Sequence, residues 1–303
     1  MVFLIVLIVL LVGFLAFVSV MLLFIGPVML LQPYRRTLDY YRRRTALLKP
    51  SDAGLPFESL TLETADGVPL SCWLIGAGPD AKGTILHLHG VSEAKIAGIP
   101  LSRALHERGF NVFLYDSRRH GESGGNYCTY GYYEKYDASL VINHLVSRTD
   151  IALGKIGVFG NSMGAAVAIQ LASIDPRVQA VVAESGFATL RSVYDDYQKR
   201  MVKLPWHYLR NLVIRRSEKI ARFKARLVTP LEAVHAVHVP ILIIHGTADD
   251  RIKAHYSEMV YHNANEPKEL WLIPNASHHN IAEIGGGGYT GKICGFFEST
   301  LTA

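Results

Sequence analysis

The sequence predicts an α/β fold in which a mostly parallel β-sheet carries helices on both faces, with an amino-terminal transmembrane helix and an inserted helical cap. Three observations support this prediction. The segment Val2–Leu31 holds no charged residue. Across residues 57–303, short apolar runs bounded by turns alternate with helical stretches, as in a parallel sheet covered on both sides. Residues 187–237 are far longer than a simple crossover between two strands requires.

The amino-terminal apolar segment is long enough to cross a bilayer. At about 1.5 Å rise per residue, Val2–Leu31 would form roughly 45 Å of helix, against about 30 Å of hydrocarbon. We therefore expect a transmembrane anchor at residues 1–32. A cleaved signal peptide is the alternative, but it would begin with basic residues and have an apolar core of about 7–15 residues. No basic residue precedes this run, and the run is longer than such a core.

Residues 33–56 are predicted to form a basic juxtamembrane linker. Between residues 35 and 49 there are five arginines and one lysine, against the single acidic residue Asp39. Positive charge that follows a first transmembrane helix predicts that this side stays in the cytoplasm. We thus expect a single-pass membrane protein whose domain faces the cytoplasm. Three cysteines, an odd number without metal-type spacing, indicate no disulfide framework and agree with a reducing compartment.

The domain at residues 57–303 opens with a predicted β-hairpin. Two short strands, 59–64 and 70–75, flank Asp66-Gly67, a pair typical of tight hairpin turns. This hairpin would give the sheet an antiparallel edge. The other predicted strands are 84–89, 111–116, 155–160, 178–184, 239–245 and 268–273. The predicted helices are 99–108, 132–147, 163–173, 255–263 and 292–301, with a flexible glycine loop at 285–288 before the last one.

The insertion at about 187–237 is predicted to be a helical cap with a basic face. Its apolar residues recur at helical spacing. Between Lys199 and Arg226 there are ten lysines or arginines and one acidic residue, Glu218, so the local charge of +9 exceeds the +5 of the whole chain. One hypothesis is that this face rests on anionic lipid headgroups, which attract basic residues. The alternative is a solvated basic face on a helix that packs over the pocket.

A candidate nucleophile lies in Gly160-Asn161-Ser162-Met163-Gly164, which matches G-x-S-x-G. A predicted strand, 155–159, comes before this motif, and a helical run, 165–172, comes after it. A turn between a strand and a helix exposes the serine hydroxyl at the amino end of that helix. The alternative is a glycine-rich turn whose serine only caps the helix.

A serine hydroxyl needs an adjacent base, and that base needs a third group to orient it. The strand 239–245 is followed by Asp249 and Asp250. We choose Asp249 as the orienting acid, with Asp250 and, more remotely, Glu184 as rivals. Because open α/β sheets bind ligands at the carboxyl ends of their strands, this loop and the one after residue 160 should meet.

The base is predicted to be His278. The strand 268–273 ends before Pro274-Asn275-Ala276-Ser277, and the next residues are His278 and His279. The chain order serine, acid, histidine is that of one group of serine hydrolytic enzymes. His279 is the rival.

Hydrolysis also needs donors for a developing oxyanion. The first candidate is the backbone N–H of Met163, directly after the serine. The second is the backbone N–H of Val91, because Gly90 allows the loop after the strand 84–89 to turn this N–H inward.

Together these motifs resemble the α/β-hydrolase superfamily across residues 57–300. The segments that carry the resemblance are His89-Gly90, the run from Tyr115 to Ser123, the turn at Ser162, His245-Gly246-Thr247-Ala248-Asp249 and Ala276-Ser277-His278. In this family the acid usually stands three residues after the His-Gly pair, which implies Asp249. Asn275-Ala276-Ser277 replaces the glycine-containing turn that usually precedes the family histidine. The loop after Asp116 is structural or lines the pocket in such proteins.

The expected activity is that of a serine hydrolase acting on carboxylic ester, thioester or lipid ester bonds through an acyl-enzyme. A serine peptidase with the same triad and a non-catalytic, membrane-tethered scaffold are the alternatives. We expect no cofactor and no metal, since His87 and His89 have no carboxylate or cysteine at ligand spacing nearby. The expected partners are a small-molecule or lipid acyl substrate and the membrane. Nucleic acid is not expected, because the excess positive charge lies beside the apolar segment and in the cap.

Overall fold

The computed structural model describes residues 1–202 and 207–302 and contains, within these ranges, one eight-stranded sheet. The strands are β1 (Glu58–Glu63), β2 (Pro69–Ile75), β3 (Gly83–Leu88), β4 (Phe110–Tyr115), β5 (Lys155–Asn161), β6 (Val178–Glu184), β7 (Ile241–Gly246) and β8 (Lys268–Ile273). Their order is β1-β2-β4-β3-β5-β6-β7-β8. Strands β3 to β8 are parallel, whereas β2 is antiparallel to both of its neighbours.

The predicted strands and the antiparallel edge are confirmed. Strands β3, β4 and β7 are buried at every position, which is why they appear in the sequence as nearly continuous apolar runs. The edge strand β1 alternates between exposed and partly buried side chains. Gly67 has a positive φ of 77° in the hairpin turn between β1 and β2, a conformation that glycine adopts without steric cost.

Helices cover both faces of the sheet. The helices are α1 (Val2–Val20), α2 (Gly26–Leu31), α3 (Leu38–Arg42), α4 (Ile99–Glu107), α5 (Glu134–Ser147), α6 (Met163–Ala172), α7 (Leu190–Val202), α8 (His207–Ala221), α9 (Pro230–Ala233), α10 (Ala254–Asn263) and α11 (Ile281–Leu301). Helices α4 and α11 pack on one face, where Leu105 and Phe297 join Ile85 of β3 in one core cluster. Helices α5, α6 and α10 pack on the other face, against Leu86 of the same strand.

The amino-terminal helix is continuous from Val2 to Leu31, because a π-helical turn at Met21–Ile25 joins α1 to α2. In the described part of the chain it is the one helix long and apolar enough to cross a membrane by length and composition. Its first turns are exposed, but Leu31 is buried. The last turns therefore pack on the rest of the protein, while the first turns are exposed.

A group of basic side chains lies on one side of this helix, part-way along its length. Four exposed basic side chains of the α8 region line one surface cavity together with Leu23, Leu212 and the single acidic residue Glu218. The four basic residues are Arg215, Arg216, Lys219 and Lys224. This basic group lies about 21 residues after Val2, which corresponds to roughly 30 Å of helix.

The segment 33–56 is attached to the domain rather than extended as a free spacer. The Nε of Arg35 donates to the carbonyl of Gly121 at 2.7 Å. Tyr41, in α3, is buried, and its hydroxyl accepts the backbone N–H of Ala94 at 2.9 Å. Side chains of the segment 33–56 thus pack against the loops that follow β3 and β4.

One predicted loop is wrong. Residues 285–288 do not form a flexible loop but belong to α11, with a sharp bend at Gly286, where φ is 53° and ψ is −143°. Ile281 and Tyr289, on either side of the glycines, are both buried against the same face of the sheet. Packing on both sides therefore outweighs the low helix propensity of glycine. In the predicted cap, α7 and α8 are present, and residues 203–206 lie outside the described part of the chain.

Candidate active site

Ser162 lies in a sharp turn between the end of β5 and the start of α6. Its φ of 54° and ψ of −114° are unusual for a residue with a side chain. The Ser162 N–H donates to the carbonyl of Glu184 at 2.7 Å, which ties the turn to the end of β6. Neighbouring structure thus holds the backbone in a strained conformation, as is common at functional sites.

The two glycines of the motif allow the turn to pack closely. A Cβ atom on Gly160 would lie 2.2 Å from the carbonyl oxygen of Gly164. A Cβ atom on Gly164 would lie 2.0 Å from the carbonyl oxygen of Leu88, at the end of β3. Both positions therefore require glycine because backbone atoms occupy the space of a side chain.

The structure brings together the three side chains that the sequence predicted as a triad. His278 Nε2 lies 3.1 Å from Ser162 Oγ, and His278 Nδ1 lies 2.6 Å from Asp249 Oδ2. Since a carboxylate only accepts, Nδ1 carries the proton, and Nε2 is left to accept the serine hydroxyl. This tautomer is the one a general base needs.

Asp249 is held as an anion by several donors. Its Oδ1 accepts the backbone N–H groups of Arg251 and Ile252, each at 2.9 Å. Burial alone would raise the pKa of Asp249, but hydrogen bonds from His245 and His278 outweigh burial and hold this pKa well below its usual range. The carboxylate is therefore ionised at neutral pH and can stabilise an imidazolium.

The rival residues lie near the triad but have different surroundings. Asp250 is exposed on the same loop. The Glu184 carboxylate accepts the hydroxyl of Tyr289 at 2.6 Å, and burial raises the pKa of Glu184 to about 7. His279 is exposed and meets the ring of His278 edge-on, with centroids 5.2 Å apart.

The sequence indicates His245 only as part of the motif that precedes Asp249, but the structure places its side chain in contact with the Asp249 carboxylate. Its Nε2 lies 2.8 Å from the carbonyl oxygen of Ile252 and 3.2 Å from Asp249 Oδ2. Both are acceptors, so Nε2 carries the proton. Its Nδ1 then accepts the hydroxyl of Ser257 at 2.6 Å. His245 thus approaches the same carboxylate oxygen as His278 and helps to orient it.

The two predicted oxyanion donors belong to residues near the serine. Met163 is the first residue of α6, and the first N–H groups of a helix have no partner within the helix. Val91 is partly buried and lines the same cavity as Ser162. Both N–H groups thus remain candidate donors to a bound carbonyl group.

His89 fixes the direction of the Val91 N–H. His89 Nε2 accepts the N–H of Ser117 at 2.9 Å, so its Nδ1–H donates to the carbonyl of Gly90 at 2.8 Å. The Gly90 carbonyl and the Val91 N–H belong to one planar trans peptide and point in opposite directions. By holding the carbonyl on one side, His89 turns the N–H to the other.

Glu93 was not predicted from the sequence, and it connects the two sides of the site. Its Oε2 accepts the N–H of Gly90 and the Nδ2 of Asn161, each at 2.9 Å. Burial opposes ionisation, but donation by Asn161 and Gly90 and the nearby imidazole of His89 lower the pKa of Glu93 below its ordinary value. Arg36 NH1 lies 3.9 Å from its other oxygen. No sequence motif marks this residue, because its partners come from separate elements.

An open, largely apolar cavity of about 590 Å³ lies over the serine. Ser162, His278 and Val91 are in its wall. The other side is formed by the end of the amino-terminal helix and by the cap. The apolar lining from these two elements includes Met29, Leu30, Val193, Tyr194 and Val213.

His87, which the sequence analysis considered with His89 as a possible metal ligand, is part of the core. His87 stacks on Phe159 with ring centroids 5.0 Å apart, and burial lowers the pKa of His87 to about 4. Within residues 1–202 and 207–302, no three His, Cys, Asp or Glu side chains are grouped so as to hold a metal. Cys72, Cys128 and Cys294 are buried free thiols.

The chain is similar to several known proteins. The profile of the family described as serine aminopeptidase, S33, matches residues 79–228. The uncharacterized protein YfhR of Escherichia coli is 31% identical over 252 residues, which cover 80% of this chain and 81% of YfhR. The alpha/beta hydrolase domain-containing protein WAV2 of Arabidopsis thaliana is 27% identical over 266 residues, which cover 83% of this chain and 82% of WAV2.

The solved structure of the Pyrococcus furiosus esterase Pf2001 superimposes with a TM-score of 0.70 at 27% identity, covering 84% of this chain and 96% of the esterase. The chain belongs to the α/β-hydrolase superfamily. The fold predicted from its motifs is therefore confirmed, and membership supports hydrolase activity for this α/β hydrolase.

Proposed function

We propose that this α/β hydrolase is a serine hydrolase that cleaves carboxylic ester, thioester or lipid ester bonds through an acyl-enzyme on Ser162. The observation that supports this proposal is the continuous hydrogen-bonded chain from Ser162 Oγ through His278 to Asp249. Its serine end faces an apolar cavity. A buried chain of this kind, with the right tautomer, is what activates a serine hydroxyl.

In the proposed reaction, His278 Nε2 takes the Ser162 proton while Oγ attacks the acyl carbon. The oxyanion that forms is stabilised by the N–H groups of Met163 and Val91. His278 then gives its proton to the leaving oxygen or sulfur, and the acyl group stays on the serine. Water, activated by the same imidazole, releases the acid.

Asp249 and His245 act through His278. Asp249 holds the imidazole in the tautomer with Nδ1 protonated and stabilises the imidazolium that forms during transfer. His245 donates to the same carboxylate oxygen as His278 and keeps it in place. Both are positioning residues, since neither touches the substrate in this scheme.

A serine peptidase is the second candidate, because the matching family profile is described as serine aminopeptidase, S33. The likeness to the Pyrococcus furiosus esterase favours ester hydrolysis. A screen of p-nitrophenyl esters of increasing chain length, with a peptide amide alongside, tests the order of preference. Ser162-dependent hydrolysis of the esters is the expected result. Preferred cleavage of the amide would favour the peptidase, and no turnover of either would favour a scaffold.

Association with a membrane is also part of the proposal. Residues 1–32 would form the anchor, 33–56 the juxtamembrane segment and 57–303 the catalytic domain, with the cap at about 187–237. The basic group beside Leu23 supports this arrangement, since the roughly 30 Å of helix before it matches the hydrocarbon thickness of a bilayer. Each Lys or Arg near an anionic leaflet contributes about 1 kcal/mol. The basic face of α8 would thus rest on headgroups.

The arginines that follow the helix favour a catalytic domain in the cytoplasm. A reporter fused after residue 303 tests this orientation. A fluorescent protein should fold and fluoresce there, while an alkaline phosphatase should stay inactive. The reverse pattern would contradict a cytoplasmic domain.

A further inference from the structure

We propose that the last two turns of the amino-terminal helix form the acyl-binding wall of the active-site pocket, so that the substrate is a long-chain lipid ester drawn from the bilayer that holds this helix. This inference rests on the proposed function and names the substrate class for the same site. It concerns a part of the chain that the sequence assigned to anchoring alone.

One face of the helix end is directed at the pocket. Gly26, Met29 and Leu30 line the cavity that contains Ser162, as does Pro33 just after the helix. Positions i, i+3 and i+4 lie on one face of a helix. The next residue, Leu31, does not line the cavity and is buried in a core cluster that includes residues of the cap. The pocket wall and the packing surface are thus neighbouring faces of one helix.

This wall is fixed to the catalytic domain. The carbonyl of Leu30 accepts the hydroxyl of Tyr130 at 2.7 Å, and the carbonyl of Leu31 accepts the N–H of Cys128 at 2.8 Å. Tyr130 itself lines the pocket. These bonds satisfy carbonyl groups at the end of the helix that have no partner within it. The end of the helix is therefore a fixed part of the pocket and not a flexible tether.

Helix α8 of the cap packs against the amino-terminal helix beside the pocket. A Cβ atom on Gly26 would lie 3.0 Å from a methyl carbon of Val213, a residue of α8 that also lines the pocket. The absence of a side chain at Gly26 lets the two helices approach closely. The pocket thus lies beside the crossing of an apolar helix and the cap.

The position along the helix places the pocket near the membrane surface. The basic group of the α8 region shares a surface cavity with Leu23, and Gly26 and Met29 come three and six residues later. At about 1.5 Å per residue this is roughly 5–9 Å beyond the basic group. Met29 remains 60% exposed, so the cavity is open along the helix. An acyl chain that leaves the bilayer along the helix would reach Ser162 without crossing bulk water.

Two substitutions of Met29 test this wall, and a substitution of the neighbouring Val28 is their control. Met29→Trp would fill the pocket, and Met29→Phe gives a smaller step in the same direction. Val28→Trp is the matched control, because Val28 is 50% exposed and does not line the pocket. The full chain is placed in phosphatidylcholine vesicles, and kcat/KM is measured for p-nitrophenyl palmitate and p-nitrophenyl acetate.

The expected result is a fall of about tenfold in the palmitate-to-acetate ratio for Met29→Trp, since a filled pocket excludes long chains more than short ones. Met29→Phe should fall between, and Val28→Trp should keep the wild-type ratio. An unchanged ratio in Met29→Trp, with Ser162-dependent acetate hydrolysis intact, would overturn this inference and leave the proposed function standing. Absence of Ser162-dependent hydrolysis in the wild type would overturn both.

Supply of the substrate from the bilayer is tested by placing the ester either in the vesicles that hold the enzyme or in separate ones. Palmitate ester in the same vesicles as the enzyme should be hydrolysed faster than the same amount in separate vesicles. A water-soluble long-chain acyl thioester forms the comparison arm. Equal rates from the same and separate vesicles, or a preference for the soluble thioester, would contradict supply from the bilayer.

Discussion

Asn161 Nδ2 donates a 2.9 Å hydrogen bond to Glu93 Oε2, and the same oxygen accepts the N–H of Gly90. Asn161 precedes the proposed nucleophile, and Gly90 precedes the proposed oxyanion donor Val91. One carboxylate therefore sets the spacing between the nucleophile turn and the oxyanion loop. That spacing decides whether the Val91 N–H can reach the oxygen of a substrate attacked by Ser162.

Loss of this carboxylate should lower kcat more than it raises KM. We expect Glu93→Ala to reduce kcat by about tenfold to hundredfold, because a displaced oxyanion donor stabilises the transition state less than a fixed one. Glu93→Gln keeps one acceptor oxygen and should retain most of the wild-type kcat. Steady-state kinetics with a short ester measure both effects. Equal loss in the two variants would contradict a positioning role.

The identity of the acid is tested by two adjacent substitutions. Asp249→Asn should reduce kcat by about 10³–10⁴, because an amide disturbs the His278 tautomer. Asp250→Asn is the matched control and should stay within a few-fold of wild type, since Asp250 is exposed. Circular dichroism checks that both variants fold. A larger loss in Asp250→Asn would reverse the assignment.

Glu184 should make the stability of the fold depend on pH. Burial raises the pKa of Glu184 to about 7. The folded state therefore holds a proton that the unfolded state releases near pH 4.5, so the free energy of unfolding falls as pH rises between these values. The shift corresponds to about 3 kcal/mol in all.

Glu184→Gln keeps an acceptor for Tyr289 but cannot ionise, so its stability advantage over wild type should grow from pH 5 to pH 8. Urea denaturation in detergent at the two pH values measures it. Glu63→Gln, at an exposed position on β1, is the control and should show no such growth. A constant difference between Glu184→Gln and wild type would mean that Glu184 is ionised in the folded protein.

The basic face of α8 should couple activity to lipid charge. Wild-type hydrolysis of a vesicle-borne ester should rise when phosphatidylserine is added to phosphatidylcholine, because Arg215 and Arg216 would lie at the headgroups. The double variant Arg215→Gln/Arg216→Gln should lose much of this rise. The control Arg103→Gln/Lys292→Gln, on other surfaces, should keep it. An equal response in all three proteins would contradict headgroup contact.

Much of the fold could be predicted because its physical causes are local. The bounds of β6 match the predicted ones, since a strand covered by helices is an apolar run ended by turns. The bounds of β8, a partly buried edge strand, match as well. The meeting of Ser162, Asp249 and His278 could also be expected. All three follow strands of one parallel sheet, whose carboxyl ends share an edge.

The supporting residues could not be predicted in the same way. Glu93 and His245 are single polar residues whose partners come from other loops, and neither sits in a repeating pattern. Met29 and Leu30 look like any other residues of an apolar helix, yet their contacts depend on where α8 packs. The bend at Gly286 depended on burial at both of its ends.

The central claim is that Ser162 forms a covalent intermediate, and an active-site label tests it most directly. Full-length protein is treated with a fluorophosphonate, and the modified peptide is identified by mass spectrometry. We predict one adduct on Ser162, abolished in Ser162→Ala and in heat-denatured protein but retained in Ser173→Ala at the other end of α6. Absence of the adduct from folded wild-type protein, or its retention in Ser162→Ala, would contradict the claim.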